Sequence, residues 1–188
     1  MLDPPYTLLS CALSIDGYLG AATPRRLELS NDADFDRVDA VRASCDAILV
    51  GAGTVRSDNP RLLVRSKARR DERVAGARSR LGAVATVVDG GQPVEMRRIS
   101  EDLGGRGVRR LMVEGGGKVH TQFLTHNLAD ELQLVVAPFF VGDSRAPRFV
   151  SDGRFPWNPD RHARLAEVRQ IGDVVLLRYA LSPRFETD

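Results

Sequence analysis

The sequence predicts an α/β domain built on a mixed, mostly parallel sheet flanked by helices, and three observations carry that prediction. Short apolar runs alternate with segments of helical spacing through most of the chain. Several of those runs stop at glycines, where a strand gives way to a loop or helix. The chain then closes on two strand-like segments around Gly172-Asp173, a two-residue hairpin signal, so the ending is antiparallel. A purely doubly wound fold would not finish that way. The length of 188 residues fits one domain spanning the whole chain.

The elements follow in order. Tyr6 to Leu13 is an apolar run stopped by Asp16-Gly17, a buried strand and a turn. Ser30-Asn31-Asp32 offers N-cap chemistry. Behind it Phe35, Val38, Val41 and Cys45 recur at helical spacing, predicting a helix over 32–44 with one buried face. Ala47 to Val50 is a second buried strand, closed by Gly51-Ala52-Gly53. Asp58-Asn59-Pro60 is a turn signal, and Leu62 to Val64 is briefly extended. Ala83 to Val88 reads as a strand stopped by Asp89-Gly90-Gly91. A helix is expected over Ser100 to Gly105, with Glu101 and Asp102 in its first turn, where negative charge is favoured. Val108 to Glu114 is a strand, followed by Gly115-Gly116-Gly117 and a helix to about Asn127. Glu131 to Ala137 alternates, with Leu132, Leu134 and Val136 on one face, and reads as a half-buried strand. Leu165 to Ile171 and Val174 to Ala180 form the hairpin.

Composition narrows the function classes. A hydrophobic content of 43% supplies a core, and 28% charged residues suit a soluble surface. The net charge of +2 argues against a dedicated nucleic-acid binder. Basic residues crowd between Arg65 and Arg80, but no aromatics interleave them. That run reads as a solvated face or as a local field for a phosphate-bearing ligand. Cys11 and Cys45 read as small buried thiols rather than a disulfide framework. No apolar span of membrane length and no leader pattern is seen, so a cytoplasmic protein is expected. His120, His126 and His162 are scattered, with no metal-ligand spacing.

The strongest site signal is Leu111 to Gly117, a buried strand running through three glycines into a helix. Glycines permit close approach of a ligand, and a helix start presents amides and a positive dipole end to phosphate. A glycine triplet is also a common turn. Glu114 closes the strand at the sheet's carboxyl edge, where ligands of open α/β sheets gather; otherwise it is a surface carboxylate. A second signal is Gly51 to Val55 with Asp58 to Leu62. Thr54 offers a hydroxyl to a cofactor or caps a helical turn. Asp58 touches a ligand or starts an Asx-turn. Arg65 pairs with a phosphate or begins the basic loop.

The ordered set Ala12 to Gly17, Ala47 to Val55, Asp58 to Leu62 with Arg65, Val113 to Gly117, Leu128 to Leu132 and Ala137 to Gly142 resembles the pyrimidine-reductase domain of riboflavin biosynthesis, the carboxyl-terminal domain of the bacterial deaminase-reductases. The resemblance covers most of the chain. It implies a dihydrofolate-reductase-like fold, a homodimer, and NADPH reducing 5-amino-6-(5-phosphoribosylamino)uracil to its ribitylamino product without metal. It implies cofactor contacts at Ala12, Thr54, Asp58, Gly115, Gly116, Gly117, Lys118 and Val119. It implies substrate contacts at Arg42, Leu62, Arg65 and Glu114, with Glu114 or Asp58 as the acid that assists proton delivery. Direct hydride transfer makes positioning the protein's main task.

Two departures stand out. Relatives often carry Ser-x-Trp before the first helix, where this chain reads Arg26-Leu27-Glu28-Leu29-Ser30. The interval from Arg65 to Leu111 is also short, with one strand where relatives place two or more. These keep two alternatives open: a reductase of the same fold with another pterin-like or secondary-metabolite substrate, and a non-catalytic nucleotide-binding relative.

Overall fold

The computed structural model describes residues 3–23, 26–54 and 94–185. The expected turn at Asp58, the extended piece at Leu62, Arg65 with the basic run, and the strand over 83–88 lie outside the described residues.

Nine elements order the described chain: β1 (Tyr6–Ser14), α1 (Asp32–Ser44), β2 (Ala47–Val50), α2 (Met96–Gly105), β3 (Arg110–Gly115), α3 (Gly117–Thr125), β4 (Glu131–Ala137), β5 (Arg164–Ile171) and β6 (Val174–Ala180). The six strands form one sheet in the order β2-β3-β1-β4-β6-β5. The first four in that order run parallel. β6 is antiparallel to both β4 and β5. This is the expected mixed sheet with its closing hairpin, and Gly172 takes the turn at φ 64°.

Register assigns the two faces. Tyr6, Leu8, Met112, Glu131 and Gln133 share one face, which α1 covers through Val38, Val41 and Cys45. Leu9, Leu111, Val113 and Leu132 share the other, packed on Met96 and Ile99 of α2 and on Val119, Phe123 and Leu124 of α3. Burying this apolar area supplies the main drive to fold.

α1 begins where its cap chemistry places it. Asn31 Oδ1 accepts from Asp34 N at 3.0 Å, while Asn31 Nδ2 donates to Ile171 O and Asp173 Oδ1, both at 2.7 Å. One residue thus caps the helix and ties it to the hairpin turn. The helix's inner face is less apolar than its spacing suggests. Val38 and Val41 are only half-buried, whereas Asp34 and Asp39 are buried.

Three expectations are corrected. α2 starts at Met96, before Ser100. Met96 and Ile99 extend the apolar stripe of Leu103 backwards, and Ser100 lies buried inside the helix rather than at its start. Glu101 and Asp102 therefore lie beyond the first turn, where Asp102 pairs with Arg106 at 2.8 Å. β3 starts at Arg110 rather than Val108. Finally, the polar-bearing face of β4 is the more buried one: Glu131, Gln133 and Val135 are buried on the α1 side, while Leu134 and Val136 are half-buried. Its polar residues are satisfied there. Glu131 accepts from Tyr6 OH at 2.9 Å, from Arg178 Nε at 2.8 Å and from Gln133 Nε2 at 2.8 Å. Gln133 Oε1 accepts from Arg37 Nη1 at 2.6 Å. A buried polar strand is tolerated when every group finds a partner.

Both cysteines are free thiols, as expected, and burial pushes the Cys11 thiol well up from its ordinary value. Among the described residues no helix is long and apolar enough to cross a membrane.

Candidate active site

Parallel pairing puts the carboxyl ends of β1, β2, β3 and β4 along one edge, at Ser14, Val50, Gly115 and Ala137. The two glycine signals, far apart in sequence, meet there. β2 and β3 slip register between Leu49 and Val50, which brings Val50 beside Gly115. A Cβ on Gly115 would stand 2.6 Å from Gly51 N, and one on Gly51 would stand 2.8 Å from a Val119 methyl. These two glycines let the strand ends and α3 close on each other.

Gly116 has φ 78°, a left-handed conformation that a side chain disfavours. A Cβ there would lie 2.8 Å from Thr54 Oγ1. Gly117 sits against the Arg148 carbonyl, with no room for a Cβ. The close approach that glycine permits here is therefore largely protein on protein. What remains toward solvent is the start of α3. That helix has no side-chain cap and no acid in its first turn, and Lys118 there is exposed. The Val119 and His120 amides both donate to Gly116 O, at 3.0 and 3.1 Å. Helix geometry leaves the amides of Gly117 and Lys118 without intrahelical acceptors, a setting that favours an anion. The side chain of Val119 belongs to the core.

Arg42 and Glu114, both expected at substrate, are brought together by α1 and β3. Arg42 Nε donates to Glu114 Oε1 at 2.6 Å and Nη2 to Oε2 at 2.8 Å. The pair is partly shielded, with side chains 16% and 13% exposed. The hydrogen bond to Glu114 raises the Arg42 pKa further. On the far edge of the guanidinium, Nη1 stands 3.6 Å from Asp39 Oδ1.

Ala12 lies on β1 opposite Val135, its methyl against Val135, Val174 and Leu176. The β1–β3 ladder ends at Leu9↔Val113, while β1 runs on beside β4 to Ser14. From Ser10 onward the β3-side edge of β1 has left that ladder, and Ala12 stands on it. Asp58, Leu62 and Arg65 are among the residues not described.

Two features escaped the sequence reading. Asp16, read only as part of a turn, accepts from Ser14 Oγ at 2.5 Å and from the amides of Val141 and Gly142 at 3.0 and 2.8 Å. Desolvation pushes its carboxyl up, but these hydrogen bonds outweigh it and hold the group at about 2. The residue pins the loop after β4 to the end of β1. His120 is fully buried on α3, its ring 5.3 Å from Phe149, and burial pushes it down to about 4. Helical spacing with Val119, Phe123 and Leu124 was the signal that could have placed it inside. The departing stretch at Arg26, Leu27 and Glu28 lines an open cleft with Phe139, just past the end of β4.

The fold and site define an α/β domain with an anion-receptive helix start directly after a strand-end carboxylate. Comparison with known proteins narrows that class. The family model described as the RibD C-terminal domain matches residues 5–177, and the chain belongs to that family. It is 29% identical to the 2,5-diamino-6-ribosylamino-4(3H)-pyrimidinone 5′-phosphate reductase of Archaeoglobus fulgidus, covering 96% of this chain and 98% of that protein. That alignment runs to 223 positions, more than the 188 residues here, so the relative carries residues with no counterpart in this chain. The Methanothermobacter thermautotrophicus protein of the same name is 33% identical over 79% of this chain and 84% of its own length. Among solved structures, Acinetobacter baumannii RibD matches with a TM-score of 0.73 at 20% identity over 94% of this chain. This chain spans 58% of that longer one. The riboflavin biosynthesis reductase of Saccharomyces cerevisiae matches at TM-score 0.61 and 20% identity, over 95% of this chain and 90% of that one. These likenesses establish the expected reductase-like fold.

Proposed function

We propose that the chain is a cytoplasmic NADPH-dependent reductase of riboflavin biosynthesis whose substrate is a pyrimidine carrying a phosphorylated ribosylamino group. The observation that carries this reading is the contiguity of Glu114, locked by Arg42, with the amide-lined start of α3.

The residues present fit NADPH. The open amides of Gly117 and Lys118 with the Lys118 ammonium suit a diphosphate, and Thr54 Oγ1 stands against Gly116 beside them. The β1 edge at Ala12 offers backbone groups to a carboxamide. Gly115 and Val119 serve by packing the loop, and Asp58 completes the set by resemblance. When bound, NADPH supplies the hydride that turns the ribosyl carbon into the end of a ribityl chain.

The protein's own part is orientation. Two guanidinium N–H groups occupy one side of the Glu114 carboxylate, leaving each oxygen further acceptor capacity. That suits Glu114 to accept ring or exocyclic N–H groups of an aminopyrimidine rather than to deliver a proton. Arg65 and Leu62 remain for the ribose phosphate and base by resemblance. Arg42, committed to Glu114, acts on substrate through it. An acceptor carboxylate fits the 2-amino group in the substrate named for the archaeal relatives as well as the ring N–H of the uracil form.

The test is loss of nicotinamide absorbance with purified protein, NADPH and either 2,5-diamino-6-ribosylamino-4(3H)-pyrimidinone 5′-phosphate or 5-amino-6-(5-phosphoribosylamino)uracil. Turnover of one or both is expected. NADPH binding with neither pyrimidine reduced overturns the assignment and favours the non-catalytic alternative. NADPH oxidation with dihydrofolate alone favours a different substrate.

The proposed homodimer has a matching surface. β5 ends the described sheet, and Leu165, Val168 and Val175 are 50%, 60% and 37% exposed. A two-fold axis through Val168 would set Glu167 of one copy opposite Arg169 of the other, so an antiparallel β5–β5 pair is charge-complementary to itself. Pairing would also cover an edge that otherwise invites aggregation.

A further inference from the structure

We propose that Asp39 is a positioning residue of this site, holding the Arg42 guanidinium so that its Nε–Nη2 edge faces Glu114. The inference rests on the functional reading above only for its kinetic consequence.

Asp39 lies midway along α1 with its side chain 3% exposed. Aspartate is seldom buried so completely, because removing a carboxylate from water is costly unless a cation or donors compensate. A cation stands one helical turn on, where Asp39 Oδ1 is 3.6 Å from Arg42 Nη1. Arg42 thus bridges two carboxylates. Nε and Nη2 hydrogen-bond Glu114, while Nη1 stands 3.6 Å from Asp39 Oδ1, an ion pair rather than a hydrogen bond. Guanidinium donors form a rigid planar fork, so a carboxylate on one edge dictates what the opposite edge presents.

A free arginine side chain samples many rotamers, and choosing one costs conformational entropy. Glu114 alone could hold Arg42 in the resting protein. Once an aminopyrimidine draws on the Glu114 oxygens, the second carboxylate keeps the guanidinium from swinging after the ligand. Glu114 is the more exposed of the two carboxylates at 13%, so it is the one the site presents to N–H donors. Asp39 touches neither substrate nor cofactor in this account and works entirely through Arg42.

The test is Asp39→Asn in the full chain, which keeps shape and an acceptor but removes the charge. Thermal melting confirms that the variant folds, and Asp39→Ser replaces it if it does not. Substrate KM is expected to rise about 10-fold, with kcat and the NADPH KM nearly unchanged. In protein labelled with ¹⁵N-arginine, the Arg42 Nε–H signal, assigned by its loss in Arg42→Lys, is expected to broaden and move toward that of free arginine. A folded variant with the wild-type Arg42 signal and wild-type substrate KM overturns the proposal. If the wild-type protein reduces neither pyrimidine, the functional reading fails and the arginine signal alone decides the role of Asp39.

Discussion

Arg42 on α1 and Glu114 at the end of β3 grip each other through two hydrogen bonds, 2.6 and 2.8 Å long, across 72 residues of sequence. This pair joins the helix on one face of the sheet to the strand end that opens the glycine loop. It is the point where stability and the proposed chemistry depend on the same atoms.

Removing one partner therefore affects both. Arg42→Met takes the guanidinium from the shielded Glu114 carboxylate and is expected to cost about 2–3 kcal/mol, somewhat below a fully buried pair because both partners keep some water. Glu114→Gln preserves shape and is expected to cost less in stability but to lower kcat/KM about 100-fold. Urea melts and steady-state kinetics on the two variants check this division.

Gly116→Ala places a methyl at φ 78° and against Thr54 Oγ1. A stability loss of about 1–2 kcal/mol is expected from the backbone conformation, with NADPH affinity falling further as the loop shifts. Thr54→Val, which adds no backbone strain, is expected to weaken NADPH with a smaller loss of stability than Gly116→Ala. Fluorescence titration of NADPH beside denaturant melts distinguishes the two effects.

Acid is expected to destabilise the fold through His120. Its imidazole binds a proton at about 4 when folded against 6.5 unfolded. Between those values the unfolded chain holds more protons, so stability rises with pH. A contribution of about 3 kcal/mol is complete above the unfolded value and is lost as pH falls to the folded one. Urea midpoints measured on both sides of pH 6.5 should show this slope, and His120→Leu should flatten it.

Asn31→Ala removes the cap of α1 and both donors to the hairpin turn. A loss of about 2 kcal/mol is expected. Asn31→Asp keeps the cap acceptor but sets a second carboxylate beside Asp173, so it should recover only part of that loss. Chemical denaturation of the three proteins orders them.

Val168→Glu puts like charges together at the proposed two-fold axis. A dimer by light scattering should become a monomer, with secondary structure unchanged by circular dichroism. A wild-type protein that is monomeric at high concentration refutes the surface.

The strand runs, the α1 cap, the glycine-bearing strand ends and the Gly172 turn were legible because each is written in a few adjacent residues whose conformational limits are local. The start of α2 was not, because Glu101 and Asp102 have the chemistry of a first turn and only packing shows that Ser100 before them is interior. Nor was the burial of Glu131 and Gln133. Alternation cannot say whether a polar face meets water or Tyr6, Arg37 and Arg178. Of the site, Thr54, Gly116, Arg42 and Glu114 were named from sequence and resemblance. Their arrangement was not foreseen: the arginine expected at substrate also grips a carboxylate, and Gly51 and Gly115 admit each other.

By itself the sequence determined the periodicities, the turn positions and the order of strands and helices, since these follow from backbone sterics and side-chain spacing over a turn or two. The tertiary structure alone decided which charges are spent on one another and which face a ligand. Those choices depend on distances between residues far apart in the chain, and such distances exist only once the sheet has brought α1, β2 and β3 to one edge.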